Sequence, residues 1–554
     1  MTSTTNTVDQ LPTSDRRSIL LVFAGLILTM LLASLDQTIF STALPTIVGE
    51  LHGVNLMLWV ITIYILASTI MLPIYGKLGD LLGRKGLFIG AISVFILGSI
   101  VGGFAQDMTW LIIGRGIQGL GGGGLMLLSQ AIIADVVPAR DRGRYMGIMG
   151  GVFAVSSVAG PLLGGWFTDG IGWRWGLWMN IPLGLLAIVS AVFFLRLPAH
   201  PKVKARVDVA GMALLGIAST LLVLVSTWGG TKYAWASVQI IGMGAGTIAA
   251  AVLFVWVESK ADHPIMSLHL FKDRNFNLTT AAGLITGIAM FGTLAYMPTF
   301  LQMVTGANAT QAGFLMIPMM MGLLVTSIAS GQLVSRTGRY KWLPITGMFI
   351  VAGALILLST MTASLPVWII CCYLAIMGIG LGTSMQILVL IVQNQFPNSQ
   401  VGMATASSNY FRQIGASLGS AVVGSLFAHR LATLLTERIP AGSSGAQGSG
   451  SINSLTPAIV RGLPEQLRHI VVGSYSDALT PIFVYMVPLL LLAGLLLLFV
   501  KEIPLATSIN RGGPLEGVEA SERSQVDGSA AREATNLLDS LYGATSPLIR
   551  KVQS

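Results

Sequence analysis

Gly76-Lys77-Leu78-Gly79-Asp80-Leu81-Leu82-Gly83-Arg84-Lys85 is a short, charged, glycine-punctuated stretch between two apolar runs, residues 55–75 and 87–105. Each run has about the 20 residues that an α-helix needs to cross ~30 Å of hydrocarbon. A polar segment this short between two such runs is the turn of a chain that crosses a bilayer and returns. The same length criterion is met fourteen times, over residues 19–43, 55–75, 87–105, 110–133, 145–167, 177–195, 209–228, 237–257, 277–301, 311–334, 342–361, 366–391, 403–428 and 481–500. The expected fold class is an all-α polytopic membrane protein.

Composition points the same way. Of 554 residues, 53% are hydrophobic and 10% charged, far more apolar surface than one water-soluble core can bury. The net charge of +9 does not imply a nucleic-acid partner, because the bases fall in short gaps between apolar runs and not on one exposed face. The expected partner is the lipid bilayer. Cys371 and Cys372 are adjacent inside one apolar run, so they form neither a disulfide framework nor a metal-binding CxxC, and no metal is expected. The first run follows Arg16 and Arg17 and continues without a cleavage site, so it reads as a retained span.

Orientation follows from the loops. With the N-terminus inside, nineteen Lys and Arg fall in inside segments, whereas the short outside loops carry only Arg174 and Lys232. That bias places both termini in the cytoplasm of a cell's inner membrane. Residues 1–18 are then a cytoplasmic segment, and 429–480 an outside loop containing the flexible AGSSGAQGSGS; 502–554 form a polar cytoplasmic tail expected to be disordered.

The opening stretch recurs. Gly76, Gly83 and Arg84 reappear as Gly331, Gly338 and Arg339, each 255 positions on, and Gly160 and Gly164 reappear as Gly415 and Gly419 at the same spacing. Two six-helix halves, 19–195 and 277–501, are expected, with spans 7 and 8 inserted in a linker at 196–276. Paired halves around a midplane site are a common plan for secondary transporters.

Enzyme-like patterns lack their context. Gly119 to Gly124 matches GxGxxG and Gly415 to Gly419 matches a nucleophile elbow, but both lie inside apolar spans. Glycines there permit close helix approach. No GxxxxGK[ST] loop occurs, so no cofactor is expected, and transport would draw on an ion gradient or simple diffusion. An ionisable group in hydrocarbon costs roughly 2.5–3.5 kcal/mol on insertion scales. Asp36 is the carboxylate well inside a span, and Arg115 and Arg412 are interior bases, while all six histidines sit at span ends or in loops. Helix rise puts Asp36 ~13 Å from Pro45 and Arg115 ~8 Å from the start of its span, in the same outer half. A carboxylate whose partner or solvation changes can carry a proton, so Asp36 and Arg115 are candidates for proton coupling; a permanent structural ion pair is the alternative.

With these motifs in view the chain resembles the major facilitator superfamily, in particular its fourteen-span drug:proton antiporters, over about residues 19–500. Leu35-Asp36-Gln37-Thr38 followed by Ala43-Leu44-Pro45 matches the span 1 signature, and Trp59, Thr62, Tyr64 and Leu66 match that of span 2. Gly76 to Lys85 matches the superfamily's gating motif, and Arg115 with Gln118 and Gly119 matches the span 4 element. Gly147, Gly160-Pro161 and Gly164-Gly165 match the antiporter motif, with Ser156 where Gly or Asn is usual, followed by Trp173-Arg174-Trp175 and Asn180-Ile181-Pro182. The resemblance implies a proton-coupled exporter without enzymatic activity. It also implies that Asp80, Arg84 and Lys85 hold the cytoplasmic ends of the halves together, and that the span 5 glycines seal against leak. This sequence departs from the family in having no acid within spans 9 to 14, which favours monocationic or neutral lipophilic substrates, and in having Ser335 where the first gating loop has Asp80.

Trp59, Tyr64, Gln118, Tyr296, Gln386, Asn409 and Arg412 are the candidate cavity residues. Met290, Met297, Met316, Met319, Met320, Met321 and Met385 are candidates for a flexible lining. The expected function is export of lipophilic drugs or amphiphiles against protons by a monomer. Lipid or metabolite export, metabolite symport and a membrane enzyme are the alternatives.

Overall fold

The computed structural model describes residues 13–53, 56–195, 197, 208–230, 232–438, 460 and 462–507. Fourteen helices in the described residues are long and apolar enough to cross a membrane. They are α1 (Leu21–Leu51), α2 (Trp59–Leu82), α3 (Arg84–Gly103), α4 (Met108–Val136), α5 (Ala139–Ile171), α6 (Trp175–Phe194), α7 (Val209–Trp228), α8 (Val238–Glu258), α9 (Arg274–Thr305), α10 (Gln311–Thr337), α11 (Trp342–Ser359), α12 (Val367–Gln395), α13 (Val401–Arg438) and α14 (Glu465–Leu498). Their number and order are those expected from the sequence.

Helix starts are written locally. Asp107 accepts the Trp110 N–H at 2.9 Å, Asp208 the Gly211 N–H at 2.8 Å and Asp273 the Phe276 N–H at 2.7 Å, each satisfying a donor that the helix leaves open. Gly83 breaks α2 from α3 with φ +90°, a conformation that a side chain would strain. Trp110, Phe193, Val238, Ile248, Trp256 and Phe499 are each more than half exposed, an apolar exterior suited to hydrocarbon and not to water.

α1 packs on α5 and α6, and α4 on α2 and α3, around a core that includes Leu26, Phe88, Phe95 and Leu128. α9 packs on α13 and α14, and α12 on α10 and α11, around Phe300, Met319, Leu355 and Phe483. The two groups meet along α2–α13 and α5–α10, and α7 lies against α2, α13 and α8. The repeated glycines mark equivalent crossings. A Cβ on Gly76 would stand 2.8 Å from Gly402 O, and one on Gly331 would overlap Gly143 O.

Several boundaries differ from expectation: α2 continues through Asp80 to Leu82 and α3 begins at Arg84, so the expected turn Gly76–Lys85 narrows to Gly83, and α4 continues to Val136. α1 runs through Pro45 to Leu51, because neighbouring helices support a backbone that lacks one hydrogen bond. α13 continues to Arg438 and α14 begins at Glu465, so much of the expected 429–480 loop is helix, and His429 and His469 lie on helices. These extensions bury Leu431, Leu435, Val471 and Leu479 and are joined by an Arg438–Asp477 ion pair at 2.7 Å. Their polar outer faces lower the hydropathy without stopping the helix. Residues 439–459, which hold the segment expected to be flexible, residues 1–12, and residues 508–554 of the expected tail lie outside the described residues.

Candidate functional site

Asp36, fully buried on α1, is held by donors from two other helices. Oδ1 accepts from Gln118 Nε2 on α4 at 3.0 Å and from Asn180 Nδ2 on α6 at 2.8 Å, and Oδ2 accepts from Arg115 Nη1 on α4. Arg115 Nη1 also reaches Gln118 Oε1 at 2.8 Å. Ser99 on α3 accepts from Gln118 Nε2 at 2.7 Å and from Asn180 Nδ2 at 3.2 Å. The Arg115 guanidinium lies 4.4 Å from the Phe40 ring centroid and 4.3 Å from that of Tyr64, a cation–π enclosure.

Small residues make this convergence possible. A Cβ on Gly98 of α3 would stand 2.7 Å from Gly114 O of α4, so the two helices touch backbone to backbone beside Ser99 and Gln118. The result is a neutral acid–base pair with a nearly complete shell of donors; the Arg115 Nε is left without a partner. Removing one partner of such a buried pair costs roughly 3–5 kcal/mol. A carboxylate is acceptor-only, whereas its protonated form donates. Protonating Asp36 would therefore force these amides and the guanidinium to rearrange.

α5 abuts α1 two residues further on. Thr38 Oγ1 donates to Ser156 O at 3.0 Å, and a Cβ on Gly160 would overlap Thr38 Oγ1. Gly164 would meet Ile39 O at 3.0 Å. Pro161 lies within the helix between them. Gly165 departs from expectation: it faces open space, with nothing within 4 Å.

At the ends bearing Arg84, Arg142 and Arg339, here the basic face, Asp80 joins the two halves. Its Oδ2 accepts the Met403 N–H at 2.8 Å and its Oδ1 the Gly402 N–H at 3.2 Å, at the start of α13. A carboxylate on the positive end of a helix is favourable. Arg84 completes the cluster, donating to Asp80 at 2.7 Å, Asp135 at 2.6 Å, Ala131 O at 2.6 Å and Asn398 O at 3.0 Å. Lys85 does not join the halves; it donates to Val192 O within its own half at 2.9 Å. At the second seam Ser335 Oγ accepts the Arg144 N–H at 3.2 Å. The basic face is closed.

Toward the opposite face a cavity of about 440 Å³ lies between α2, α7, α9, α13 and α14, lined by Thr62, Ser226, Tyr296, Thr299, Met303, Ser417, Ser420, Phe427 and Tyr475 among others. Of the residues expected to line a cavity, Tyr296 does so. Tyr64 and Gln118 belong instead to the Asp36 cluster. Trp59 packs edge-on against Trp228 at 5.9 Å. Asn409 Nδ2 donates to Gln130 Oε1 at 2.8 Å across the α4–α13 contact, and Gln386 is buried with its Oε1 unpartnered. Arg412 lines none of this cavity and is half-buried. Met290, Met297, Met316, Met319 and Met320 lie in the packed core of the second half, not along the cavity.

Ser99, Asn180, Phe40, Asp135 and Asn398 were not among the expected site residues. Asn180 carried a signal, a lone amide opening an apolar run. Asp135 was missed because its span was closed at residue 133, two residues early.

The Major Facilitator Superfamily description matches residues 26–420. The multidrug transporter protein MdtP of Bacillus subtilis is 37% identical over 83% of this chain and 87% of its own length. The uncharacterized transporter Rv1877 of Mycobacterium tuberculosis is 40% identical over 88% of this chain and 70% of its own. Among solved structures, the proton:xylose symporter XylE aligns with a TM-score of 0.58 at 14% identity, covering 88% of this chain and 97% of that one, a likeness of fold alone.

Proposed function

Because the chain belongs to the Major Facilitator Superfamily, we propose that it is a proton-coupled exporter of lipophilic drugs or amphiphiles that works by alternating access. The observation that carries the reading is Asp36, a buried carboxylate whose donors come from two other helices. The basic face is cytoplasmic, and both termini lie on that side of the cell's inner membrane. Asp36 takes a proton from outside as substrate leaves. The altered hydrogen bonding loosens the α1–α4–α6 junction, the halves rock about the α2–α13 and α5–α10 seams, and the proton is lost inward.

The protein acts as a monomer, with protons, lipid and small lipophilic substrates as its partners. The substrates are neutral or monocationic, and hydroxyl and aromatic lining without a carboxylate suits the neutral ones. The relatives named for multidrug transport support an efflux role. Export of a membrane amphiphile is a second reading, favoured by the wall that α7 adds to the cavity from the flank of the bundle.

The test uses purified protein in liposomes loaded with a pH-sensitive dye, under an imposed proton gradient, with ethidium or a neutral lipophilic dye added outside. Dye-dependent collapse of the gradient that Asp36→Asn abolishes is the expected result. Collapse that persists in Asp36→Asn would remove the acid from the mechanism.

A further inference from the structure

Arg412 is a cation that no described residue neutralises. The other interior guanidiniums have partners: Arg84 with Asp80 and Asp135, Arg115 with Asp36, and Arg142 with the carbonyls of Ala134 at 2.6 Å and Val137 at 2.9 Å. Among the described residues Arg412 makes no hydrogen bond and no ion pair through its side chain. On the elements packed beside Tyr410 and Phe411, Asp208 accepts the Gly211 N–H, Glu258 the Ile265 N–H and Asp273 the Phe276 N–H. From Arg274 to Lys501 the acids are Glu437, Glu465 and Asp477, and Glu437 stands ~37 Å along α13 from Arg412 by helix rise. Asp36, the buried acid of the other half, is already taken by Arg115.

The position is accessible to a ligand. Three residues earlier Asn409 reaches Gln130 of α4, so Arg412 lies about 60° around the helix from the point where the halves touch. Ser417, at the edge of the cavity, is ~7.5 Å of helix rise further toward the opposite face and about 140° around α13, so Arg412 stands below the cavity on another face of the helix. Arg412 is half-buried and so retains accessible surface. An uncompensated guanidinium at membrane depth is costly, and its planar fork matches carboxylate, sulfonate and phosphate oxygens in pairs.

We propose that Arg412 is an anion subsite that takes the acidic head of an amphiphile. The proposal rests on the export reading and extends its substrates to acidic amphiphiles. The head can belong to a membrane lipid or to a soluble compound, since both offer the same oxygens.

Binding of octane-1-sulfonate, octyltrimethylammonium and octyl glucoside to the full chain in phosphatidylcholine nanodiscs tests it. The sulfonate should bind about tenfold more tightly than the ammonium, as one charge-assisted contact would give. Arg412→Ala should bring the two within about twofold, Arg412→Lys should keep most of the preference, and octyl glucoside should bind all three proteins alike, which certifies their folding. Equal affinities in the unaltered protein, or a preference that survives Arg412→Ala, would overturn the subsite. Adding phosphatidylglycerol identifies the source: competition lost in Arg412→Ala points to a lipid head, and no competition with the preference intact points to a soluble anion. No proton gradient is used, so failure of proton coupling in the Asp36 test and failure here are separate results.

Discussion

The two halves share a scaffold but treat an interior charge differently. In the first, Asp36 is surrounded by Arg115, Gln118 and Asn180; in the second, Arg412 has no partner among the described residues and the core around Phe300, Met319 and Phe483 is apolar. The seams differ in the same way. Asp80 ties α2 to the α13 backbone with a carboxylate, while Ser335 meets Arg144 N–H with a hydroxyl. Repeated small residues preserve how helices cross, whereas single polar substitutions decide what each half does. Proton chemistry and ligand chemistry can then occupy different halves of one pseudo-symmetric frame.

The largest effect should come from removing the first half's charge. Asp36→Asn should reduce proton-driven transport by about 100-fold or more, since no other acid lies within those donors, and insertion should be unchanged; transport in liposomes and membrane yield measure both. Arg115→Ala should impair coupling more than yield, because it strands Asp36 without its counter-ion; an unaltered pH profile of transport would break the assignment.

The seams should respond unequally. Asp80→Ala removes acceptors for two backbone N–H groups and Arg84, a loss of about 2–3 kcal/mol, whereas Ser335→Ala loses about 1 kcal/mol or less. Alkylation of a cysteine placed at Asn398 reports opening of the basic face, and equal labelling in the two variants would erase the difference between seams.

The equivalent glycine crossings offer a finer test. A Cβ at Gly415 meets the Leu284 backbone carbonyl, and one at Gly160 meets both Oγ1 and Cβ of Thr38, which rotation of the hydroxyl does not clear. Gly415→Ala and Gly160→Ala should each destabilise by about 1–3 kcal/mol. Gly165→Ala, facing open space, should change thermal stability in detergent by under about 0.5 kcal/mol.

Much of this was legible in the residues. Asp36 and Arg115 could be paired because a charge in hydrocarbon requires a partner and helix rise sets depth. The 255-residue spacing of Gly76 and Gly331 revealed the repeat, and both glycines lie at inter-half crossings. Gln118 and Tyr64 were assigned to a cavity because depth does not give azimuth; their helix faces turn them toward Asp36 and Arg115. The 429–480 segment looked like a loop because hydropathy registers lipid contact, while the ends of α13 and α14 are held by each other.

By itself the sequence determined the number of crossings, their order, the repeat and the few ionisable groups that had to be accommodated in the bilayer, because apolar length and local charge act within one segment. Tertiary structure alone decided that Ser99 and Asn180 complete the Asp36 shell, that Asp80 closes on α13 while Lys85 stays in its own half, and that Arg412 is left unpaired among the described residues. These outcomes depend on which faces of distant helices meet, and the packing of side chains between helices sets that, not the periodicity within any one of them.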